Sequence, residues 1–347
     1  MAPLRLTGEP VTLDLRTTFR IAHGADDQRH NVLAYLSPAD EAGLEATGVG
    51  EGAAVAYHGE TQAGILAYLE QAAALMPEDP FQIEDTLNRL PPGSQAARAA
   101  IDITLHDLWG KRLGQPLYRL LGLNPHATPP TSFTIAMDEP ELMAQRARES
   151  GMPLIKIKLG SPDDLQKVRL IREATNARLQ VDANAGWTRE QAARLIPQLA
   201  EFGLELVEQP LPKGDIEGLR QLRLQLQEAH IDLPIFADES IKTAQDVAAH
   251  AGAVDGVVIK LMKSGGIREA LRAIHTARAL AMRIMLGCMV ESSVGVTAAA
   301  HLAPLCDYAD LDGPLLIKND PFCGLQYAGS RLVLPDGAGI GVRRAGE

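Results

Sequence analysis

The chain has 347 residues, 46% hydrophobic and 22% charged, a balance that excludes a disordered chain and allows a core large enough for more than one domain. Its net charge of -11 comes without any basic run, which argues against a nucleic-acid partner. Its apolar stretches are cut by charge, as at Arg283, which argues against a membrane span. Cys288, Cys306 and Cys323 lack metal-binding spacing and Met1–Pro10 lacks an apolar signal core, so reduced thiols and a cytoplasmic location are expected.

Residues 4–15 and 31–36 carry strand patterning, and the polar stretch Thr17–His30 between them reads as a flap or binding loop. Gly48–Gly52 reads as a turn. Helical periodicity covers Thr61–Met76 and Ser94–Leu121, where Ala97, Ile101, Leu105 and Leu108 share one face and His106 and Trp109 read as packing residues. Gly114-Gln-Pro116 interrupts the second helix. This first third is α+β. Leu123–Pro130 is polar and proline-rich, and reads as a linker that separates residues 1–125 from 126–319.

Beyond the linker the period changes. Strand-like runs fall at Thr131–Ala136, Leu154–Leu159, Leu179–Asp182, Leu204–Glu208, Ile235–Asp238, Gly256–Lys260, Arg283–Leu286 and Tyr308–Leu311, with helical stretches such as Pro140–Ser150 and Asp163–Ala174 between them. Eight strands in roughly 180 residues suit an α/β barrel of the TIM type better than an open sheet. The tail, 320–347, carries another strand-like run at Arg331–Leu334 and is expected to pack back on the first unit.

Three of these strands end on an acid: Asp182, Glu208 and Asp238. Their spacing is about one strand, one helix and two loops, so they fall at equivalent places in a parallel array. Each alone reads more simply as a helix N-cap or a surface residue. Together they need a positive partner, and a hard divalent cation with oxygen ligands, most simply Mg²⁺, supplies one. No Cys or His sits there to favour zinc.

Lys156 and Lys158 alternate onto one face of their strand, and the pair is expected to lower one pKa toward neutrality and so make a base. Lys260 ends the sixth barrel strand. Lys263 reads as an ordinary loop residue, and Gly265-Gly266 as a phosphate cradle or a bend into the next helix. In a barrel, strands two and six stand opposite each other. A carboxylate substrate held on the metal would then present its α-carbon to Lys158 on one side and Lys260 on the other, an arrangement for two-base epimerisation through an enediolate. Thr134 is a further candidate for lining the site.

The ordered set Lys156-Ile-Lys158, Val181-Asp-Ala-Asn184, Val207-Glu-Gln-Pro210, Ala237-Asp-Glu-Ser240 and Ile259-Lys260 resembles the muconate-lactonizing subgroup of the enolase superfamily over nearly the whole chain. The superfamily's use of a Lys or His base with Mg²⁺ is itself a standard example of pKa tuning. The resemblance implies an α+β capping domain over a (β/α)7β barrel. It also implies Mg²⁺ on Asp182, Glu208 and Asp238, and acid/base lysines at Lys158 and Lys260. Lys156 would tune Lys158, with Asn184 and Glu239 supporting the metal ligands.

Asp310 and Asp312, at the end of the eighth strand, share a face and suit a substrate ammonium. This run, with Gly287–Ser293 before it, resembles the dipeptide epimerases, in which such a pair holds the dipeptide N-terminus. A small-molecule dipeptide partner is therefore expected; a homo-oligomer is compatible with the chain, and Glu291 has no assigned role. Glu-specific members carry an Arg in the flap near the position of Gly24, while Arg20 and Arg29 lie out of register, so the resemblance leaves side-chain preference open. A cycloisomerase, o-succinylbenzoate synthase or N-acylamino acid racemase on the same scaffold is the alternative. A non-catalytic binding protein is a third reading, but no lysine or acid of the set is missing.

Overall fold

The computed structural model describes residues 4–38 and 43–346. Leu4–Ile21 (β1) and Gly24–Pro38 (β2) form a long antiparallel hairpin, and Gly48–Gly52 (β3) pairs with β2. The expected flap is therefore the far end of a hairpin, not a loop. Its polar side chains mask the period-two pattern, and its register shifts between Asp14 and Phe19. Gly48–Gly52 is likewise a buried strand and not a turn. Its glycines let the helix Gln95–Leu113 approach: a Cβ on Gly48 would lie 2.1 Å from the Thr104 carbonyl oxygen, and one on Gly50 2.2 Å from that of Ala100.

The helix Gln62–Ala73 starts at Thr61, whose hydroxyl accepts from the Gly64 N–H. A short helix, Ile83–Arg89, was not legible in the sequence. Ser94 caps Gln95–Leu113 in the same way, and Gly114, left-handed at φ 62°, ends it before Leu117–Leu120.

The second sheet has eight parallel strands in chain order: Phe133–Ile135 (β4), Leu154–Lys158 (β5), Arg178–Asp182 (β6), Leu204–Glu208 (β7), Ile235–Ala237 (β8), Gly256–Lys260 (β9), Arg283–Gly287 (β10) and Tyr308–Asp310 (β11). A bridge between Thr131 and Ala309, with the Ser132 N–H donating to the Ala309 carbonyl at 3.0 Å, closes the ring. Leu206, Phe236, Val258 and Met285 fill its interior below the strand ends. Gly256 admits the Phe236 ring, since a Cβ there would lie 2.4 Å from it. The barrel is thus a plugged core with its chemistry confined to the C-terminal rim.

Gly265 and Gly266 bend the chain into the helix Ile267–Ala279 against the long first-unit helix. A Cβ on Gly266 would lie 2.2 Å from an Asp102 carboxylate oxygen, which leaves no phosphate cradle. His106 is buried against Asp102. The tail returns to the first unit, where the Leu117 N–H donates to the Gly339 carbonyl at 2.8 Å and the Ile340 N–H to Asp107 at 2.8 Å. No helix among the described residues is long and apolar enough to cross a membrane.

Candidate active site

Strand register assembles the rim. Lys158 pairs with Asp182, Asp182 with Glu208, and Gly287 with both Lys260 and Asp310. Asp238 follows β8 directly. Asp182, Glu208 and Asp238 are buried, and one oxygen from each lies within 4.8 Å of the others. β5 and β9, which carry Lys158 and Lys260, are separated by three strands in either direction round the ring, so the two lysines flank the acids from opposite sides. The Lys158 ammonium donates to Asp182 at 2.6 Å and that of Lys260 to Asp238 at 2.8 Å. Gly287 makes room for the Lys260 stem, because a Cβ there would lie 2.9 Å from its Cε.

Lys156 is not the member of its pair that is pushed toward neutrality. Lys156 starts one layer below the rim, opposite Gln180, and its ammonium lies 2.7 Å from Asp310, 2.7 Å from Glu208 and 3.2 Å from Asp182. Burial opposes its charge, yet Asp310, Glu208 and Asp182 hold its pKa well above the ordinary lysine value. Burial and Asp238 act in the same opposed way on Lys260, whose pKa is also raised. Carboxylates crowd the rim, so they and not the neighbouring ammonium set the sign.

Lys263 is not an ordinary loop residue. It lies buried in the one-turn helix Leu261–Ser264 and donates to the Asp238 carboxylate and backbone carbonyl, and to the Val258 carbonyl at 3.2 Å. Gln209 was also missed: its amide oxygen accepts the Asp238 N–H at 2.8 Å and so fixes that acid's backbone. Nothing in the spacing of either residue reports its burial.

The acids respond unequally. Burial would raise Asp182 and Asp238, but Lys158 and Lys156 depress the first, and Lys260 and Lys263 hold the second well below the usual carboxylate range. Burial and the Asp182 charge push Glu208 well above it. Lys156 stands 2.7 Å from Glu208, but out of line for a hydrogen bond, and neither Glu208 oxygen accepts one. Asn184 Oδ1 and Glu239 Oε2 are buried without a partner as well. This all-oxygen set with unsatisfied acceptors fits a hard divalent cation such as Mg²⁺. Asn184, left-handed at φ 43°, donates to Asp182 at 3.2 Å and to Glu239 at 3.1 Å. Burial, Asp238 and Asp182 push Glu239 up to about 7.

Asp310 and Asp312 both line the cavity above the acids, but they are not equivalent. Asp310 accepts from the Ser132 hydroxyl at 2.8 Å and from Lys156 at 2.7 Å, so its cation is already supplied by the chain. Asp312 accepts from Thr134 instead, its N–H at 2.6 Å, which places Thr134 beside it at the cavity wall. Burial and Asp310 push Asp312 up to about 7. The first unit roofs the cavity with Phe19, Ile21, His23 and Arg29 of the hairpin and with Val55, Tyr57 and His58. The His23 and Tyr57 rings stack with centroids 4.1 Å apart.

Glu291 lies outside this cavity. It is buried beside Glu51 of β3 and accepts the Met289 N–H at 2.6 Å, behind the cavity wall formed by Cys288, Met289 and Val290.

Comparison with known proteins agrees with this geometry. Residues 10–122 match the family described as "Mandelate racemase / muconate lactonizing enzyme, N-terminal domain", and residues 140–345 match "Enolase C-terminal domain-like". An L-Ala-D/L-Glu epimerase from Bacteroides thetaiotaomicron is 40% identical, with 98% of this chain and 88% of the relative covered. A hydrophobic dipeptide epimerase from Enterococcus faecalis is 37% identical, with 95% and 96% covered. The crystal structure of a dipeptide epimerase from Enterococcus faecalis V583, complexed with Mg and L-Leu-L-Tyr, superposes with a TM-score of 0.91 at 35% identity, covering 99% of this chain and 100% of that one. The chain belongs to the enolase superfamily, in the mandelate racemase/muconate lactonizing enzyme family.

Proposed function

We propose that this chain is a Mg²⁺-dependent dipeptide epimerase that inverts the α-carbon of the C-terminal residue. The observation that carries the reading is the placement of Lys158 and Lys260 on opposite flanks of one cavity, with Asp182, Glu208 and Asp238 between them. The names of the relatives support it, as does the Mg and dipeptide in the Enterococcus faecalis structure. Residues 1–125 with the tail 320–347 act as the cap, and 126–319 as the catalytic barrel. Buried Cys288 and Cys306 suit a reducing cytoplasm.

Asp182, Glu208 and Asp238 hold the cation, with Asn184 and Glu239 steadying them. When bound there, Mg²⁺ would supply positive charge against the negative charge that develops on the substrate carboxylate. One lysine, as the neutral amine, takes the α-proton and leaves the enediolate. The opposite lysine, as the ammonium, returns a proton to the other face. One proton leaves and one arrives, so the product is the epimer and the two lysines have exchanged protonation states. Lys156 stays charged beneath the site and offsets the acids. Asp312 binds the dipeptide ammonium, with Thr134 fixing its orientation.

One observation favours a second reading. Asp310 is already engaged by Lys156, which weakens the case for a two-carboxylate ammonium site and favours an N-acylamino acid racemase, whose substrate needs none. Both readings are tested by NMR in D₂O with Mg²⁺, using a panel of L-Ala-L-Xaa dipeptides beside N-acetyl amino acids. The dipeptide reading expects the L,D epimer, with deuterium at the C-terminal α-carbon alone. Exchange restricted to the N-acetyl compounds contradicts it.

A further inference from the structure

We infer that Asp26 is a specificity-determining residue: by occupying the guanidinium of Arg29, it turns the flap side of the cavity into a subsite for apolar substrate side chains and against acidic ones. The inference rests on the dipeptide reading above and concerns which dipeptides are used.

The flap side of the cavity is built from Phe19 and Ile21, faced by Val290 and Leu316. Val290 belongs to a small buried cluster with Leu13, Leu15 and Ile317, against which Phe19 and Leu316 pack. This wall is therefore held by a core and not by mobile polar groups. Besides Lys158 and Lys260, which serve the strand ends, Arg29 is the remaining lysine or arginine among the described residues that line the cavity. An acidic substrate side chain would need it, because a carboxylate buried without a cation is strongly disfavoured.

Arg29 is not available on those terms. Its guanidinium lies over the Phe19 ring, 5.9 Å from the centroid, and its tip is ion-paired to Asp26. Phe19 and Asp26 face each other across the hairpin just beyond the register shift, which brings ring, guanidinium and carboxylate together. Asp27 is held separately by the Thr18 hydroxyl at 2.6 Å. An incoming carboxylate would have to displace Asp26 or share Arg29 with it at like charge. An apolar side chain meets neither demand and buries against Phe19, Ile21 and Val290.

The Asp26 side chain is 52% exposed, so its hold on Arg29 is that of a surface pair and its removal has a modest effect. Activity is compared for L-Ala-L-Leu and L-Ala-L-Glu in wild type, Asp26→Asn, Arg29→Gln and the double variant. Wild type is expected to favour the Leu dipeptide by about tenfold or more in kcat/KM. Asp26→Asn should raise the Glu-to-Leu ratio by about three- to tenfold, and adding Arg29→Gln should cancel that gain. A wild type that prefers L-Ala-L-Glu, or a ratio unmoved by Asp26→Asn, overturns the inference while leaving the epimerase reading intact. No α-hydrogen exchange from either dipeptide in any variant overturns the epimerase reading, and the inference with it.

Discussion

At the barrel rim Asp182, Glu208 and Asp238 are met by ammonium groups from Lys156, Lys158, Lys260 and Lys263, whereas Glu51 and Glu291, just as buried between β3 and the loop after β10, meet only neutral donors. Glu51 accepts from the Asn31 amide at 2.8 Å, the Ser292 hydroxyl at 2.6 Å and the Gly295 N–H at 3.0 Å. Glu291 faces it closely enough that a Cβ on Gly295 would lie 2.3 Å from a Glu291 oxygen and 3.1 Å from a Glu51 oxygen. Burial then raises Glu51, and burial with the Glu51 charge pushes Glu291 up to about 8. The same cost of burying carboxylates is thus met in two ways. At the rim Asp182 and Asp238 keep their charges and offset them with ammonium groups, which suits metal binding and proton transfer. The joint keeps a proton, which suits holding Met289–Ser292 in place behind the cavity.

The largest break in the comparison comes from the metal. Exhaustive chelation is expected to remove activity entirely and added Mg²⁺ to restore it. Thermal melts should show Mg²⁺ raising the Tm of wild type, because a ligand that binds only the folded state stabilises it, and this response should be lost in Glu208→Gln. Full turnover by metal-free protein would contradict the assignment of the rim acids.

The substrate ammonium gives a smaller effect. A charge-assisted hydrogen bond from the ammonium to Asp312 would contribute roughly 1.5–3 kcal/mol. N-acetylating a good dipeptide is therefore expected to lower kcat/KM by about tenfold to a few hundredfold, and Asp312→Asn to narrow that gap. Because the free Asp312 is pushed up to about 7, falling pH protonates it, and kcat/KM for the free dipeptide should decline below that value. Equal handling of free and acetylated forms at every pH would move the ammonium away from Asp312.

The smallest effect separates the two clusters by the sign of their pH dependence. Asp182 and Asp238 have depressed pKa values, so their contribution to stability is present above the usual carboxylate range and is lost as pH falls through their folded values. Glu291 is raised from 4.5 to about 8, so its contribution is complete below 4.5 and is lost as pH rises toward 8. Glu291→Gln removes the proton requirement and keeps an acceptor for the Met289 N–H. It is expected to lose less Tm than wild type between pH 5 and 9, a difference of a few degrees at about 1–2 °C per kcal/mol for a chain of this length. Parallel curves would show that Glu291 does not hold a proton.

These contrasts also mark what the sequence disclosed. The barrel was legible because apolar runs such as Leu204–Glu208 and Gly256–Lys260 end on charge, and both match the observed strands residue for residue. The acid trio and the opposed lysines were legible because parallel barrel geometry converts strand order into position. Gly48–Gly52 was not, since glycines that admit a helix and glycines that form a turn look alike in one dimension. The hairpin tip was hidden by polar residues on both faces. The reach of Lys156 to Asp310 spans 154 positions, and that of Ser292 to Glu51 spans 241. Such contacts depend on depth in the folded chain, which no local pattern records. The pairing of Lys263 with Asp238 belongs to the same class.

The central claim is that Lys158 and Lys260 serve opposite faces of one α-carbon. It is tested by incubating Lys158→Ala and Lys260→Ala in D₂O with Mg²⁺, each with the separated L,L and L,D epimers of a good substrate, and following α-hydrogen exchange by NMR. Each variant is expected to interconvert nothing while still exchanging the α-hydrogen of one epimer, a different epimer in each case, because the remaining lysine still reaches its own face. Exchange of the same epimer by both variants, or epimerisation by either at near wild-type rate, would contradict the two-base arrangement.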